Sequence, residues 1–236
     1  MTRPTSAVSE QEISIRHLQS HSLPALVQRQ LEDMILTGAL VPGSKLTEIP
    51  LADQLGVSRG PVREAFRGLV AKGLVRVEKN RGVYVRTITV EEANDIYEVR
   101  LALEDLIVRK LASVSSSLDE AGMDELLAKS SKFAEKGDFA NSHRCNMEFH
   151  DRLAVATGNQ TLADNYRRLA NELSLFRHQA HVKVRDASSL KASVADHRAI
   201  VAAIRKGDGA KASKLIQGHV EASRKRLQSL LGDDRA

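Results

Sequence analysis

Between Ala52 and Val70 the chain has little freedom in how it folds. Ala52, Gly56 and Val62 stand four and six residues apart, which suits two helices packed across a tight turn. The small alanine allows close approach, the glycine can take the positive φ of the turn, and the valine fills the space between the helices. The second helix carries two stripes. Val62, Phe66, Leu69 and Val70 form an apolar one for the protein interior, and Arg59, Arg63 and Arg67 form a basic one at i, i+4 and i+8. Ser58 precedes them as N-cap, so the first backbone N–H groups and the positive end of the helix dipole favour a phosphate. From such a helix lying in a groove, Arg59 and Arg63 have the reach for guanine O6 and N7.

The flanking sequence completes a winged helix-turn-helix over residues 22–88, after a flexible N-terminus at 1–21. Ser22 and Pro24 open a helix in which Val27, Leu31, Met34 and Ile35 repeat at helical spacing, and Gly38 ends it. A turn at "VPGSK" leads to a short element from Ile49 to Leu55. After the basic helix, "LVRVEKNRGVYVRTI" reads as two β-branched strands joined by the polar turn Lys79-Asn80-Arg81-Gly82. Arg81 and Gly82 at its tip are placed to enter an adjacent minor groove. Residues 59–86 carry eight basic groups against Glu64 and Glu78, a local charge of +6 within a chain whose net charge is +5. That concentration fits a polyanionic partner, double-stranded DNA.

The remaining 89–236 read as an all-α bundle of six helices, so the fold class is mostly α. Thr89 and Glu92 form a capping box for a helix running to about Ala112. Helical runs follow at about 118–135, 138–157, 161–182, 187–206 and 209–231, separated by glycine turns. At 236 residues, two domains are expected. No run approaches the ~18 apolar residues of a membrane span, so no membrane partner is expected. The N-terminus lacks the apolar core of a signal peptide, and Cys145 is the single cysteine; both suit a cytoplasmic protein.

Polar residues on the apolar faces of this bundle mark a candidate site. Asn146 and His150 lie one helical turn apart. His197 and His219 are each eleven residues from Asp208, the middle of a Gly-Asp-Gly connection, so a helical hairpin brings them to one level. Three imidazoles and an oxygen donor suit a divalent metal ion, Zn²⁺ or Ni²⁺. The other histidines, His17, His21, His143, His178 and His181, read as surface or loop. Arg100 lies on the stripe of Ile96, Leu103 and Ile107 and needs a partner there: either Glu104 at i+4, or the carboxylate of a bound effector.

The run "GSKLTEIPLADQLGVSRGPVREAFRGLVAKGLVRVEKNRGVYV" resembles the N-terminal domain of the GntR family of bacterial transcription regulators. The resemblance assigns DNA contacts to Ser58, Arg59 and Arg63 and the wing tip to Arg81-Gly82. Some members carry a DNA-contacting arginine where this chain has Ile49. "YEVRLALE", "NMEFHDRLAVATGN" and "DHRAIVAAIRKGDGAKASKLIQGHV" resemble the FCD effector domain of the FadR subfamily, in its smaller, VanR-like branch. Its metal-binding members supply ligands that map to Asn146, His150, His197 and His219, although aspartate is commoner than Asn146. The resemblance implies a homodimeric repressor on a palindromic operator, released by a small organic acid. The wing "EKNRGVYVR" resembles that of regulators associated with phosphonate use. A metal-sensing regulator and a metal-dependent hydrolase are the alternatives. Against the hydrolase, no HExxH or comparable motif supplies an acid or base beside the ligands.

Overall fold

The computed structural model describes residues 22–114, 122–179 and 187–232. Expectations for residues 1–21, His17, His21, His181 and the helix start near 118 lie outside these. The chain divides into two compact units, Met1–Thr87 and Ile88–Ala236.

In the first unit, α1 (Leu23–Leu36) opens where the Ser22 hydroxyl accepts from the Ala25 N–H at 3.4 Å, with Pro24 in the first turn. It buries Val27, Leu31 and Ile35 and packs on α3 (Arg59–Ala71). Between them, α2 (Glu48–Leu55) ends at Gly56, whose φ of 64° is the left-handed turn between the two helices. α3 buries Val62, Ala65, Phe66 and Leu69. Val70, expected on that apolar stripe, is 40% exposed, because at i+8 from Val62 it has rotated past the buried face.

β2 (Val75–Glu78) and β3 (Gly82–Val85) form the wing hairpin, closed by a turn in which Asn80 takes φ 61°, a conformation asparagine tolerates. A third strand, β1 (Lys45–Leu46), pairs with β3 in register Lys45↔Tyr84, giving an antiparallel order β1-β3-β2. The turn expected at "VPGSK" includes Lys45, and no strand is expected at Lys45–Leu46. Two residues are too short for an alternation, and only their pairing makes them a strand.

The second unit consists of α4 (Val90–Ser113), α5 (Met123–Glu135), α6 (Phe139–Ala156), α7 (Gln160–Gln179), α8 (Ala187–Arg205) and α9 (Gly209–Gly232) among the described residues. The Thr89–Glu92 capping box starts α4 with reciprocal bonds of 3.1 and 3.0 Å. α4 is the central helix, packed by α6, α7, α8 and α9 around Phe149, Tyr166, Ile107, Leu111 and Ile216. No helix among the described residues is long and apolar enough to cross a membrane.

Two glycines of the first unit respond oppositely to alanine. A Cβ on either Gly56 or Gly60 meets nothing within 4 Å, so only backbone conformation decides. Gly56→Ala must hold a left-handed φ and is expected to lower the unfolding free energy by about 1–2 kcal/mol. Gly60→Ala, inside α3, is expected to raise it by about 0.5 kcal/mol. Urea denaturation of the two variants checks both signs.

Candidate functional site

Two groups of polar side chains stand out, one in each unit. On the first, Arg59, Arg63 and Arg67 line the exposed face of α3, with side chains 59%, 55% and 73% exposed. Ser58 occupies the N-cap with extended backbone and no side-chain capping bond. Arg81 is exposed at the wing turn, and Gly82, with φ 117°, begins β3. A groove formed by β1, the start of α2, Arg59 and the wing turn lies between helix and wing, and Ile49, 57% exposed, stands in it. Sequence reasoning passed over Glu48. Its carboxylate takes a two-pronged bond from Arg63, both prongs 2.7 Å, and further bonds from Arg59 at 3.2 and 3.3 Å. The Arg63 hydrogen bond, outweighing partial burial and reinforced by Arg59, lowers the Glu48 pKa to about 2.

On the second unit the α8–α9 hairpin sets His197 Nε2 3.2 Å from His219 Nε2. α6 adds His150, and ligand atoms of the three lie within 4.8 Å of one another. All three are buried, at 1–3% exposure. The Phe149 ring stacks on His197 at 3.9 Å between centroids and fixes its plane. Behind the cluster stand two carboxylates. Asp196 Oδ2 lies 3.2 Å from His219 Nδ1. Glu104 Oε2 lies 3.0 Å from His150 Nδ1, close enough for attraction yet out of line for a well-formed hydrogen bond. Glu104 also receives the Arg100 Nε at 2.6 Å. Arg100 therefore has the Glu104 partner that its buried position requires, and its side chain also lines the cavity described next.

That cavity, about 260 Å³, is lined by Arg100, Asn146, His143, Arg177, His197 and His219 among others. Asn146 thus reaches the same space as two of the three clustered histidines, while His150 lies behind them. His143 and His178, expected at the surface or in a loop, also line it. His143 lies three residues before Asn146, on the same side of α6, where the bundle leaves a gap rather than solvent. Three arginines and no carboxylate line the cavity among the described residues. One of them, Arg177, donates to the neutral hydroxyls of Ser223 at 3.0 Å and Tyr97 at 3.4 Å.

The donor set suits a divalent ion. The His150 Nε2 is buried with no hydrogen-bond partner among the described residues. The 3.2 Å between the other two Nε2 atoms is close to the roughly 3.3 Å expected of two nitrogens on one tetrahedral ion. Carboxylates behind ligating imidazoles are the usual means of orienting them. Burial lowers the His150 pKa to about 4, against the pull of Glu104, and puts His197 well below its ordinary value, so both imidazoles are neutral and able to ligate.

An exposed basic helix in a winged helix-turn-helix, with a helical second unit around a buried polar cluster, defines the class of DNA-binding transcription regulators. Comparison with known proteins specifies it further. The family model described as "Bacterial regulatory proteins, gntR family" matches residues 25–85, and that of the FCD domain matches 95–222. YdhC of Bacillus subtilis (strain 168), an HTH-type transcriptional regulator, is 34% identical over 140 residues, 56% of this chain and 60% of that protein. RspR of Escherichia coli (strain K12), a transcriptional repressor, is 25% identical over 195 residues, 83% of this chain and 84% of that one. Among solved structures, E. coli McbR/YncC has the same fold, with a TM-score of 0.74 at 23% identity over 88% of this chain and 98% of that chain. A GntR regulator from Rhodococcus sp. RHA1 gives 0.71 at 25% identity over the same shares. The chain belongs to the GntR family of bacterial transcription regulators and carries an FCD domain. It spans 60% of the length of YdhC and 64% of that of the Nta operon transcriptional regulator of Aminobacter aminovorans.

The histidines give a pH dependence. Burial lowers His150 and also His143, which keeps some surface open to the cavity, to about 4 from an ordinary 6.5. Both are neutral in the fold and take up protons in the unfolded chain below about 6.5. Stability of the metal-stripped protein is therefore full above pH 6.5 and falls as pH drops toward 4. Calorimetric melting across that window checks the slope, and His143→Gln is expected to make it shallower.

Proposed function

We propose that the protein is a cytoplasmic, homodimeric repressor whose operator is palindromic and whose ligand is a small organic acid, a carboxylate or phosphonate, bound beside a divalent metal ion. His150, His197 and His219, with Asn146 as oxygen donor, would hold Zn²⁺ or Ni²⁺. The ion would supply positive charge toward an anionic ligand. The observation that carries the reading is the cavity itself: buried imidazoles at one side, arginines around it, and no carboxylate among the described lining residues. Such a wall favours an anion over a cation or a neutral sugar. Arg177 is the side chain best placed to clamp the acid, since its present partners are neutral hydroxyls. Arg100, neutralised by Glu104, shapes the wall rather than supplying net charge.

The output would lie on α3 and the wing. Ser58, Arg59, Arg63 and Arg67 meet the major groove, and Arg81 with Gly82 meets the minor groove. One such helix reads only a few base pairs, so a two-fold dimer on a repeated half-site gives the needed length.

Two experiments test the two halves. In a panel of small carboxylates and phosphonates, at least one is expected to raise the melting temperature with Zn²⁺ or Ni²⁺ present and to release operator DNA. Chelation or His197→Ala should remove both effects. If metal alone releases the DNA, the protein is a metal sensor and the acid reading fails. For the output, Arg63→Ala is expected to lose roughly tenfold or more of the preference for selected over random duplex. Lys79→Ala should weaken binding to both alike and flatten the salt slope by about one.

A further inference from the structure

Glu48 is out of place on a surface meant for a polyanion. It begins α2, where an acid is favoured by the helix dipole, but its carboxylate points across the turn to α3. There it meets both basic side chains at the start of that helix. Arg63 donates Nε–H to Oε1 and Nη2–H to Oε2, and Arg59 directs Nε and Nη2 to Oε2. Each guanidinium thus spends its Nε–Nη2 edge on one carboxylate. The planar group has a second donor edge, the Nη1–Nη2 fork at its end, and a guanidinium gripped on one edge presents the other in a fixed direction.

We propose that Glu48 is a positioning residue for base recognition, holding Arg59 and Arg63 by one edge so that their terminal forks are aimed at base edges. The proposal rests on the reading that α3 enters the major groove. Holding two arginine rotamers before DNA arrives removes part of the ordering cost of binding. It also withholds them from phosphates, the default partners of a loose arginine along any duplex. Glu48 therefore trades non-specific attraction for sequence discrimination. A carboxylate facing DNA would otherwise only weaken binding.

The test uses the full chain and a duplex enriched by in vitro selection from a randomised pool with the wild-type protein, alongside random duplex. In E48Q the amide keeps the shape but offers one acceptor oxygen and turns an N–H₂ group toward the guanidiniums. Affinity for the selected duplex should fall about tenfold or more while affinity for random duplex rises, with a salt slope on random DNA steeper by about one. E48D, which keeps the charge but draws it back by one methylene, should fall between wild type and E48Q. Both arginines are exposed and Glu48 is only half-buried, so melting temperature should move by no more than about 2 °C, and the loss is not one of folding. If E48Q raises affinity for both duplexes equally, Glu48 is merely an electrostatic brake and the proposal fails. It also fails if the selected-to-random ratio stays within about twofold of wild type in E48Q while R63A loses it. If R63A keeps the ratio as well, base reading by α3 fails, and Glu48 positioning fails with it.

Discussion

The buried carboxylate of Glu104 organises the helical unit. Glu104 is 2% exposed on the central helix α4, and an ion taken that far from water costs several kcal/mol unless it is paired. It is paired on two sides: by Arg100 one turn earlier on the same helix, and by the His150 imidazole from α6. Burial raises its pKa, but Arg100 and then His150 outweigh that and hold it well below the ordinary carboxylate range. Because Arg100 takes one oxygen and His150 Nδ1 faces the other, the His150 Nε2 points away from Glu104. A ligand nitrogen of the same ring lies within 4.8 Å of those that the α8–α9 hairpin brings in on His197 and His219. Removing Glu104 would leave Arg100 buried without its charge partner and His150 without the group that orients it.

The first unit repeats the device at its surface. Glu48 too is held between two side chains, both of them cationic here, but at 23% exposure rather than 3%, and with partners that are more than half exposed. Water and salt screen that arrangement, so it contributes little to folding. The same chemistry therefore has different weight: in the interior it is a structural necessity, and on the exposed face of α3 it holds side-chain direction more than it adds stability.

These two carboxylates also mark how far the sequence alone can be read. The meeting of His197 with His219 is legible, since equal eleven-residue arms from a Gly-Asp-Gly turn admit one outcome in a helical hairpin. The demand of Arg100 for a partner is legible too, because helical periodicity buries it and Glu104 stands one turn away, but the choice between Glu104 and the carboxylate of an effector is not. Glu48 is not legible. It meets Arg59 and Arg63 eleven and fifteen residues away, across a turn whose geometry no periodicity encodes. The same limit applies to His143, whose side of α6 looks polar until the bundle is assembled around a gap, and to β1, which is a strand only because β3 lies beside it.

The donor set has a consequence for charge in the proposed site. With Asn146 as the oxygen donor, every group offered directly to a divalent ion is neutral, so the ion would keep its full charge toward the cavity. Glu104 does not offset it, being already matched by Arg100, and Asp196 reaches the cluster only through the outer nitrogen of His219 with a side chain 46% exposed. An anionic ligand entering between that ion and Arg177 would therefore complete a charge balance that an aspartate at position 146 would supply in part by itself. Asn146→Asp should accordingly tighten metal binding while weakening the acid. Isothermal titration of each ligand into the variant separates the two effects, and an unchanged metal affinity would mean that Asn146 does not face the ion.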